Sequence, residues 1–374
     1  MNTDRFSLPA ILCKPVEGTP LVRDEIKYLL GLEKKSEVEL LQRVARLVRT
    51  KHFGQKVFLY GFVYFSTYCK NNCTFCHYRR DNREVARYRK NESEVVEAAR
   101  NLRDSGVHLI DLTMGEDPEM FHPDFGLKRL VRLTGKIRSE TGLPVMLSPG
   151  AAPEAAISEF AKAGAEWYAC YQETHTESLF DKLRIGQSYK ERYATKVEAK
   201  SNGMLIEEGI LTGVGETLDD IADSILAMKE MKADQVRAMT FVPQKGAPLE
   251  SYGAVTSNRE LNVISVMRLV LPDTLIPASL DIDGLNGLQK RLLAGANVVT
   301  SIVPPGRGLA GVANSSLDIE ESRRTVDSIK NVLQFIGMET ATAEEYRHWV
   351  EDRMQGEGNP MQMGGASVNC RYWS

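Results

Sequence analysis

Val57-Phe58-Leu59-Tyr60-Gly61-Phe62-Val63-Tyr64-Phe65 is an unbroken apolar run, and after Ser66-Thr67-Tyr68 the chain enters Cys69-Lys70-Asn71-Asn72-Cys73-Thr74-Phe75-Cys76. The run reads as a buried strand. The three cysteines follow at C-x3-C-x2-C, which packs three thiols into one tight loop. Thiolates are the ligands that iron–sulfur clusters use, and four irons with three protein ligands leave one iron open for chemistry. Two other readings compete. Zinc would need a fourth ligand, which His77 could supply, but zinc sites favour paired C-x2-C knuckles. A disulfide loop would leave one of three clustered cysteines unpaired. The loop therefore reads first as an iron–sulfur site on Cys69, Cys73 and Cys76, with zinc and a disulfide as the competing readings.

Beyond the loop a rhythm begins. Strand-like runs recur at Val107–Thr113, Leu143–Ser148, Glu166–Tyr171, Glu208–Val214, Gln235–Val242, Thr274–Leu280 and Asn297–Val303. Helical patterns fill the gaps at 93–105, 125–141, 153–163, 189–203, 217–231, 258–271 and 284–294, and one more follows at 320–337. With Val57–Phe65 this gives eight βα units, which fit a closed (β/α)8 barrel better than an open sheet. Gly106, Gly164 and Gly295 stand where helix C-cap glycines belong. Apolar spacing over 23–52 predicts two helices before the first strand. Residues 1–22 hold several prolines and predict an extended arm. The expected division is an N-terminal arm and helices over 1–52, the barrel over 53–340, and a partly disordered C-terminal extension over 341–374. Gln355–Ser374 is expected to be the poorly ordered part.

The chain has 374 residues, 43% hydrophobic content and a net charge of −3 with both signs interspersed. No nucleic-acid partner or membrane patch is indicated. No run of 18 apolar residues and no signal-peptide core occurs, so a soluble cytoplasmic protein is expected. Six cysteines are few for this length. Cys13, Cys170 and Cys370 are scattered, and a reducing compartment suits all six.

In such a barrel the chemistry sits at the C-terminal ends of the strands. Strand 2 carries Asp111 inside an apolar run, where an acid is expensive without a partner. Ser148 ends strand 3 and can either hydrogen-bond a cofactor or start a turn. Glu173 ends strand 4, and Arg192 lies nineteen residues further on. Strand 6 carries Arg237, strand 7 Ser279 and Asp281, strand 8 Thr300 and Ser301. Arg237 can receive a carboxylate, Asp281 with Ser279 an α-ammonium, and Asp111 a distant second ammonium. A diamino acid such as L-lysine has those three groups. The competing reading is a structural Arg237–Asp281 ion pair.

The cysteine loop resembles that of the radical S-adenosylmethionine (SAM) superfamily. The order of segments over roughly residues 25–340 is similar to its biotin synthase-like branch. That resemblance implies a [4Fe-4S] cluster, SAM as cofactor and an electron donor as partner. It implies cofactor contacts from Phe75, Gly115, Glu116, Ser148, Glu173, Arg184 and Arg192. Gly115-Glu116 would receive the SAM amino group, Glu173 the ribose hydroxyls and Arg192 the SAM carboxylate. Phe65–Asn71, Asp111–Pro118, Gly209–Gly215 and Ile276–Asp281 resemble more closely the members that rearrange the carbon skeleton of L-lysine. The implied activity is an isomerase working through a 5′-deoxyadenosyl radical, with Asp111, Arg237, Ser279, Asp281, Thr300 and Ser301 on the substrate. Hydrogen-atom transfer needs no general base, in keeping with the lack of a nucleophilic triad. Rival expectations are hydrogenase maturation or another reaction of the same branch, and a non-catalytic iron–sulfur scaffold or electron carrier.

Overall fold

The computed structural model describes residues 7–253, 257–304, 306, 307, 309 and 324–356. Helices α1 (Leu8–Val16), α2 (Arg23–Leu30) and α3 (Lys35–Phe53) precede the first strand. Eight parallel strands follow: β1 (Lys56–Ser66), β2 (Leu109–Met114), β3 (Val145–Ser148), β4 (Trp167–Ala169), β5 (Leu205–Thr212), β6 (Gln235–Thr240), β7 (Pro277–Ser279) and β8 (Val298–Ile302). The connecting helices are α4 (Glu92–Ser105), α5 (Gly126–Thr141), α6 (Glu154–Lys162), α7 (Glu177–Leu183), α8 (Tyr189–Ser201), α9 (Leu218–Glu230), α10 (Asn258–Val270) and α11 (Gly284–Leu293). The chain then adds α12 (Val326–Phe335), a short β9 (Glu339–Thr340) beside β1, and α13 (Ala343–Met354).

The strand order is β6-β5-β4-β3-β2-β1-β8-β7. The ring closes between β6 and β7 only at its lower end, where Gln235 pairs with Leu275 and the Val236 N–H donates to Leu275 O at 2.9 Å. The expected (β/α)8 architecture is thus present as a nearly closed barrel, with one seam that widens towards the strands' C-terminal ends.

Local sequence explains the joints. The N-cap of α4 is Asn91, which accepts from Glu94 N while the Glu94 carboxylate accepts from Asn91 N, a reciprocal capping box. Gly106 ends the same helix at φ +92°, a left-handed turn that a side chain would oppose. Thr217 caps α9 in the same way with Asp220.

Two expectations need correction. Residues 8–16 are helical, not extended: Leu8, Ile11, Leu12 and Pro15 are buried at helical spacing, and Pro9 falls in the first turn, where a missing N–H costs nothing. Towards the C-terminus, residues 341–356 pack onto the barrel. Tyr346, Trp349 and Val350 of α13 fill its lower end against Phe58, Tyr60, Leu109, Met146, Trp167, Leu205 and Val298. Trp349 stacks on Trp167 with centroids 6.0 Å apart, and the Tyr346 hydroxyl donates to Tyr60 Oη at 2.8 Å. Each such buried side chain contributes roughly 1.5–3 kcal/mol. His108 locks the join: its Nδ1 accepts from Leu59 N at 2.8 Å, so Nε2–H donates to Ala341 O at 2.9 Å. Burial lowers its pKa to about 4, which keeps that tautomer neutral. The remainder of the tail, from residue 357, lies outside the described residues, as do residues 1–6. No helix among the described residues is long and apolar enough to cross a membrane.

Candidate active site

The strands' C-terminal ends open on a cavity of about 270 Å³ that takes in every residue named above as a site candidate. The cysteine loop forms one wall. It leaves β1 through Ser66, whose hydroxyl donates to Asp117 Oδ2 at 2.5 Å, while Arg89 grips the same carboxylate at 2.7 and 2.8 Å. Arg87 fastens the return of the loop by donating to the carbonyls of Thr67, Tyr78, Arg79 and Asn82. Gly115 is where β2 passes under the loop. A Cβ there would lie 2.3 Å from Tyr68 O and 2.9 Å from Cys69 Cβ, so only glycine fits.

The thiols of Cys69, Cys73 and Cys76 line the same cavity. Cys73 Sγ receives Gln187 Nε2 at 3.1 Å and Arg184 Nη1 at 3.6 Å; Cys69 Sγ receives Asn71 N at 3.5 Å. Burial, and then the neighbouring thiols, push the Cys76 thiol far above its ordinary range. The Cys69 thiol is pushed up by burial as well, and buried thiols gathered in this way are a donor set that iron stabilises. Among the described residues no group of three or more His, Cys, Asp or Glu side chains is arranged to hold a single metal ion, so zinc through His77 gains no support. A cubic cluster takes one thiolate per iron at separate corners, and the three cysteines share one wall of the cavity.

Next to the thiols stand the residues of the expected cofactor contacts. Arg184 lies over the Phe75 ring with 5.4 Å to the centroid and donates to Glu173 Oε1 at 2.5 Å. Glu173 adopts φ +69°, a left-handed conformation that costs a non-glycine residue about 1–2 kcal/mol. Its backbone pays this back by bridging to β5, donating to Gly209 O and accepting from Leu211 N. Burial raises its carboxyl despite Arg184. Arg192 pairs with Glu116 at 2.8 Å and donates to Tyr171 O at 2.7 Å. For Glu116, burial opposes ionisation, but Arg192 and the Ala151 N–H outweigh it and hold the carboxyl low. Arg192 thus pairs with Glu116, and Glu173 with Arg184.

The substrate candidates occupy the deeper part of the strands. Asp111 Oδ1 accepts from the hydroxyls of Ser148 at 2.8 Å and Thr113 at 2.9 Å. Ser148 is thereby tied to Asp111. Burial, then the charge of Glu207, raise the Asp111 carboxyl to about 7. Arg237 Nε donates to Glu207 Oε1 at 2.8 Å, its Nη1 to Thr300 Oγ1 at 3.1 Å, and its plane lies over Tyr171 with 5.7 Å to the centroid. Asp281 accepts from Ser279 at 2.9 Å, Ser301 at 2.6 Å and Arg324 at 2.6 Å. Ser301, at φ +65°, is a second strained residue of the site. The competing Arg237–Asp281 ion pair does not form; each has another partner.

Sequence reading missed those partners. Glu207 fell just outside the expected fifth strand, and two consecutive acids in Leu205-Ile206-Glu207-Glu208-Gly209-Ile210-Leu211 were the available signal. Glu207 turns inward to Arg237 and Glu208 outward to Lys196 at 2.8 Å. Arg324 and the buried pair Glu260–Arg291, at 2.5 Å, carried no signal.

Comparison with known proteins agrees with this geometry. The Radical SAM superfamily model matches residues 63–228. The chain is 46% identical over 334 residues to 3-methylornithine synthase of Methanosarcina acetivorans, covering 89% of this chain and 94% of that one. It is 31% identical to an [FeFe] hydrogenase maturase subunit of Thermotoga maritima, over 77% of this chain and 82% of that one. A crystal structure of methylornithine synthase superposes with a TM-score of 0.86 at 43% identity, over 91% of this chain and 99% of the other. With the thiol loop, the paired carboxylates and the barrel already in place, these matches mean that the chain belongs to the radical SAM superfamily, in the family of the 3-methylornithine synthases.

Proposed function

We propose that this enzyme is a radical SAM mutase that converts L-lysine to (3R)-3-methyl-D-ornithine, the first step of pyrrolysine biosynthesis, in the reducing cytoplasm. One observation carries the substrate assignment. In the cavity wall and the layer beneath it, the acids Glu116, Glu173, Glu207, Glu260 and Asp281 each hold an arginine: Arg192, Arg184, Arg237, Arg291 and Arg324. Asp111 alone has no cationic partner among the described residues; only hydroxyls reach it. A buried carboxylate without a counter-charge is costly, and a ligand ammonium relieves it. Lysine carries one net positive charge, which balances that one excess negative charge.

Cys69, Cys73 and Cys76 would hold the [4Fe-4S] cluster. Phe75, Gly115, Glu116, Glu173, Arg184 and Arg192 would seat SAM, and Ser148 would serve Asp111. When bound, the reduced cluster and SAM would supply the radical chemistry for removing a hydrogen atom from the lysine chain. The chain's own residues then have to orient and confine. Arg237 with Thr300 receives the carboxylate, Asp281 with Ser279 and Ser301 the α-ammonium, and Asp111 the side-chain ammonium. A substrate tied at both ends keeps its fragments together until they recombine, and the aromatic floor of Tyr60, Tyr346 and Trp349 excludes water from below.

The test is anaerobic reconstitution with iron and sulfide, then SAM, dithionite and L-lysine. The expected result is 5′-deoxyadenosine together with an isomer of lysine of unchanged mass. 5′-Deoxyadenosine without loss of lysine would shift the reading to hydrogenase maturation or another reaction of the branch. Absence of 5′-deoxyadenosine would leave an iron–sulfur scaffold.

A further inference from the structure

Glu207 lies in β5 on the inward face, two residues before Gly209, which is in register with Arg237. Its side chain is fully buried beneath the cavity and does not line it. Oε1 accepts a hydrogen bond from Arg237 Nε at 2.8 Å, and the Tyr171 hydroxyl lies beside the same carboxylate. A buried ion pair is costly to assemble, and an all-apolar replacement of both partners could fill the space without the desolvation cost. The position of Glu207 suggests another use. Arg237 lies close enough to Asp111 for each charge to favour ionisation of the other. Arg237 is a cation whose charge reaches Asp111, and Glu207 occupies it from behind, with Thr300 holding Nη1 and Tyr171 the flat face.

We propose that Glu207 is a specificity-determining positioning residue: it holds Arg237 away from Asp111, so that Asp111 stays open for the second ammonium of a diamino acid while Arg237 faces its carboxylate. This rests on the lysine reading above. Without the Glu207 charge, Arg237 becomes the internal counter-ion of Asp111. The cavity is then neutral before substrate enters, and it favours a monoamino acid over a diamino acid of the same chain length. A brace that only stabilised the barrel would weaken both ligands alike.

The experiment compares L-lysine with L-norleucine, which has the same chain without the terminal ammonium. Binding of each is measured calorimetrically to the reconstituted enzyme with SAM present, in wild type, Glu207→Gln and Glu207→Asp. Wild type is expected to prefer lysine by at least ~100-fold, as sites built around a buried polar group do. Glu207→Gln keeps an oxygen for Arg237 Nε but loses the charge, and the preference should fall to within about tenfold, with norleucine binding as well as or better than in wild type. Glu207→Asp keeps the charge and should recover most of the preference. The cluster's visible absorption and the thermal unfolding midpoint report whether each variant is folded; if Glu207→Gln is not, Thr300→Val, which frees Arg237 from its second anchor, should lower the same ratio. An unchanged lysine-to-norleucine ratio in a folded variant, or equal weakening of both ligands, overturns the role of Glu207. Failure of wild type to bind lysine overturns the substrate reading instead.

Discussion

The two halves of the barrel mouth solve different problems. On the β1–β4 side, three thiols and an aromatic ring fall within eight consecutive residues, and the glycine that lets β2 pass beneath them is indispensable by contact. On the substrate side, formed by the β5–β8 ends together with Asp111 of β2, no local motif exists. There the working groups are single residues on separate strands, each placed by a partner from a further element: Arg237 by Glu207, Asp281 by Arg324, Asp111 by Ser148. A cluster needs several ligands at fixed short separations, and a tight loop supplies them. A flexible substrate needs a few groups at its own ends, and strand ends across a barrel supply those.

The largest effect should come from the first side. Cys76→Ala should abolish the visible absorption of the cluster and all SAM cleavage, because two thiolates cannot replace three. If the cluster persists at full occupancy, another residue ligates it and the local reading of the loop fails. Next comes the second side. Asp111→Asn should weaken lysine binding by about 2–4 kcal/mol while SAM still binds. The same carboxyl gives a pH signature. Glu207, Arg237 and the hydroxyls of Thr113 and Ser148 surround it, and its pKa is raised to about 7. An ammonium wants the ionised form, so lysine affinity in wild type should rise as pH climbs from about 6 to 8, by up to about tenfold per unit below the pKa, and flatten above it. Stability of the substrate-free protein has the opposite sign. Between the ordinary carboxylate pKa and about 7 the folded chain keeps a proton that the unfolded chain releases, so stability falls as pH rises through that window. Calorimetric titrations across this range, with Asp111→Asn giving a flat profile, check both; a flat wild-type profile would remove Asp111 from the substrate. The smallest effect is expected for His77→Ala. The His77 Nδ1 is buried without a hydrogen-bond partner, yet the thiol loop suffices for the cluster, so iron content should stay within error of wild type. Loss of iron would make the loop's local signature incomplete.

Those differences also set what could be read from the amino-acid order. All eight strands were legible because apolar runs buried on both sides are long and unlike the helices between them. The thiol loop was legible from spacing alone. Helix α1 was not, because its prolines hid a Leu8–Ile11–Leu12–Pro15 stripe. Nor was α13, whose apolar face is a mere Tyr346, Trp349 and Val350 and matters only once the barrel floor exists to receive it. Strand β5 begins earlier than its apolar content suggests, since Glu207 and Glu208 are neutralised by residues that come from β6 and α8. The residues named from the strand ends and from the family resemblance line one cavity, but their pairing was not legible. Glu116 takes Arg192 from 76 positions away, and Asp281 takes Arg324 from 43. Which arginine answers which acid depends on barrel geometry that no window of sequence contains.

The N-terminal helices bear on the order in which the molecule can be made. Helices α2 and α3 bury Ile26, Leu29, Leu41, Val44 and Val48, and the elements they pack against are α9 and α10. Arg23 and Lys27 are likewise answered by Asp223 and Asp219 of α9. These helices, made before the barrel strands, therefore wait for a partner that ends only at Val270. Throughout that interval an apolar face is uncovered, which makes the growing chain a natural client for chaperones. When α10 does arrive, joining β6 to β7, the helices that precede the barrel dock on it, so what is made before the barrel is placed after it.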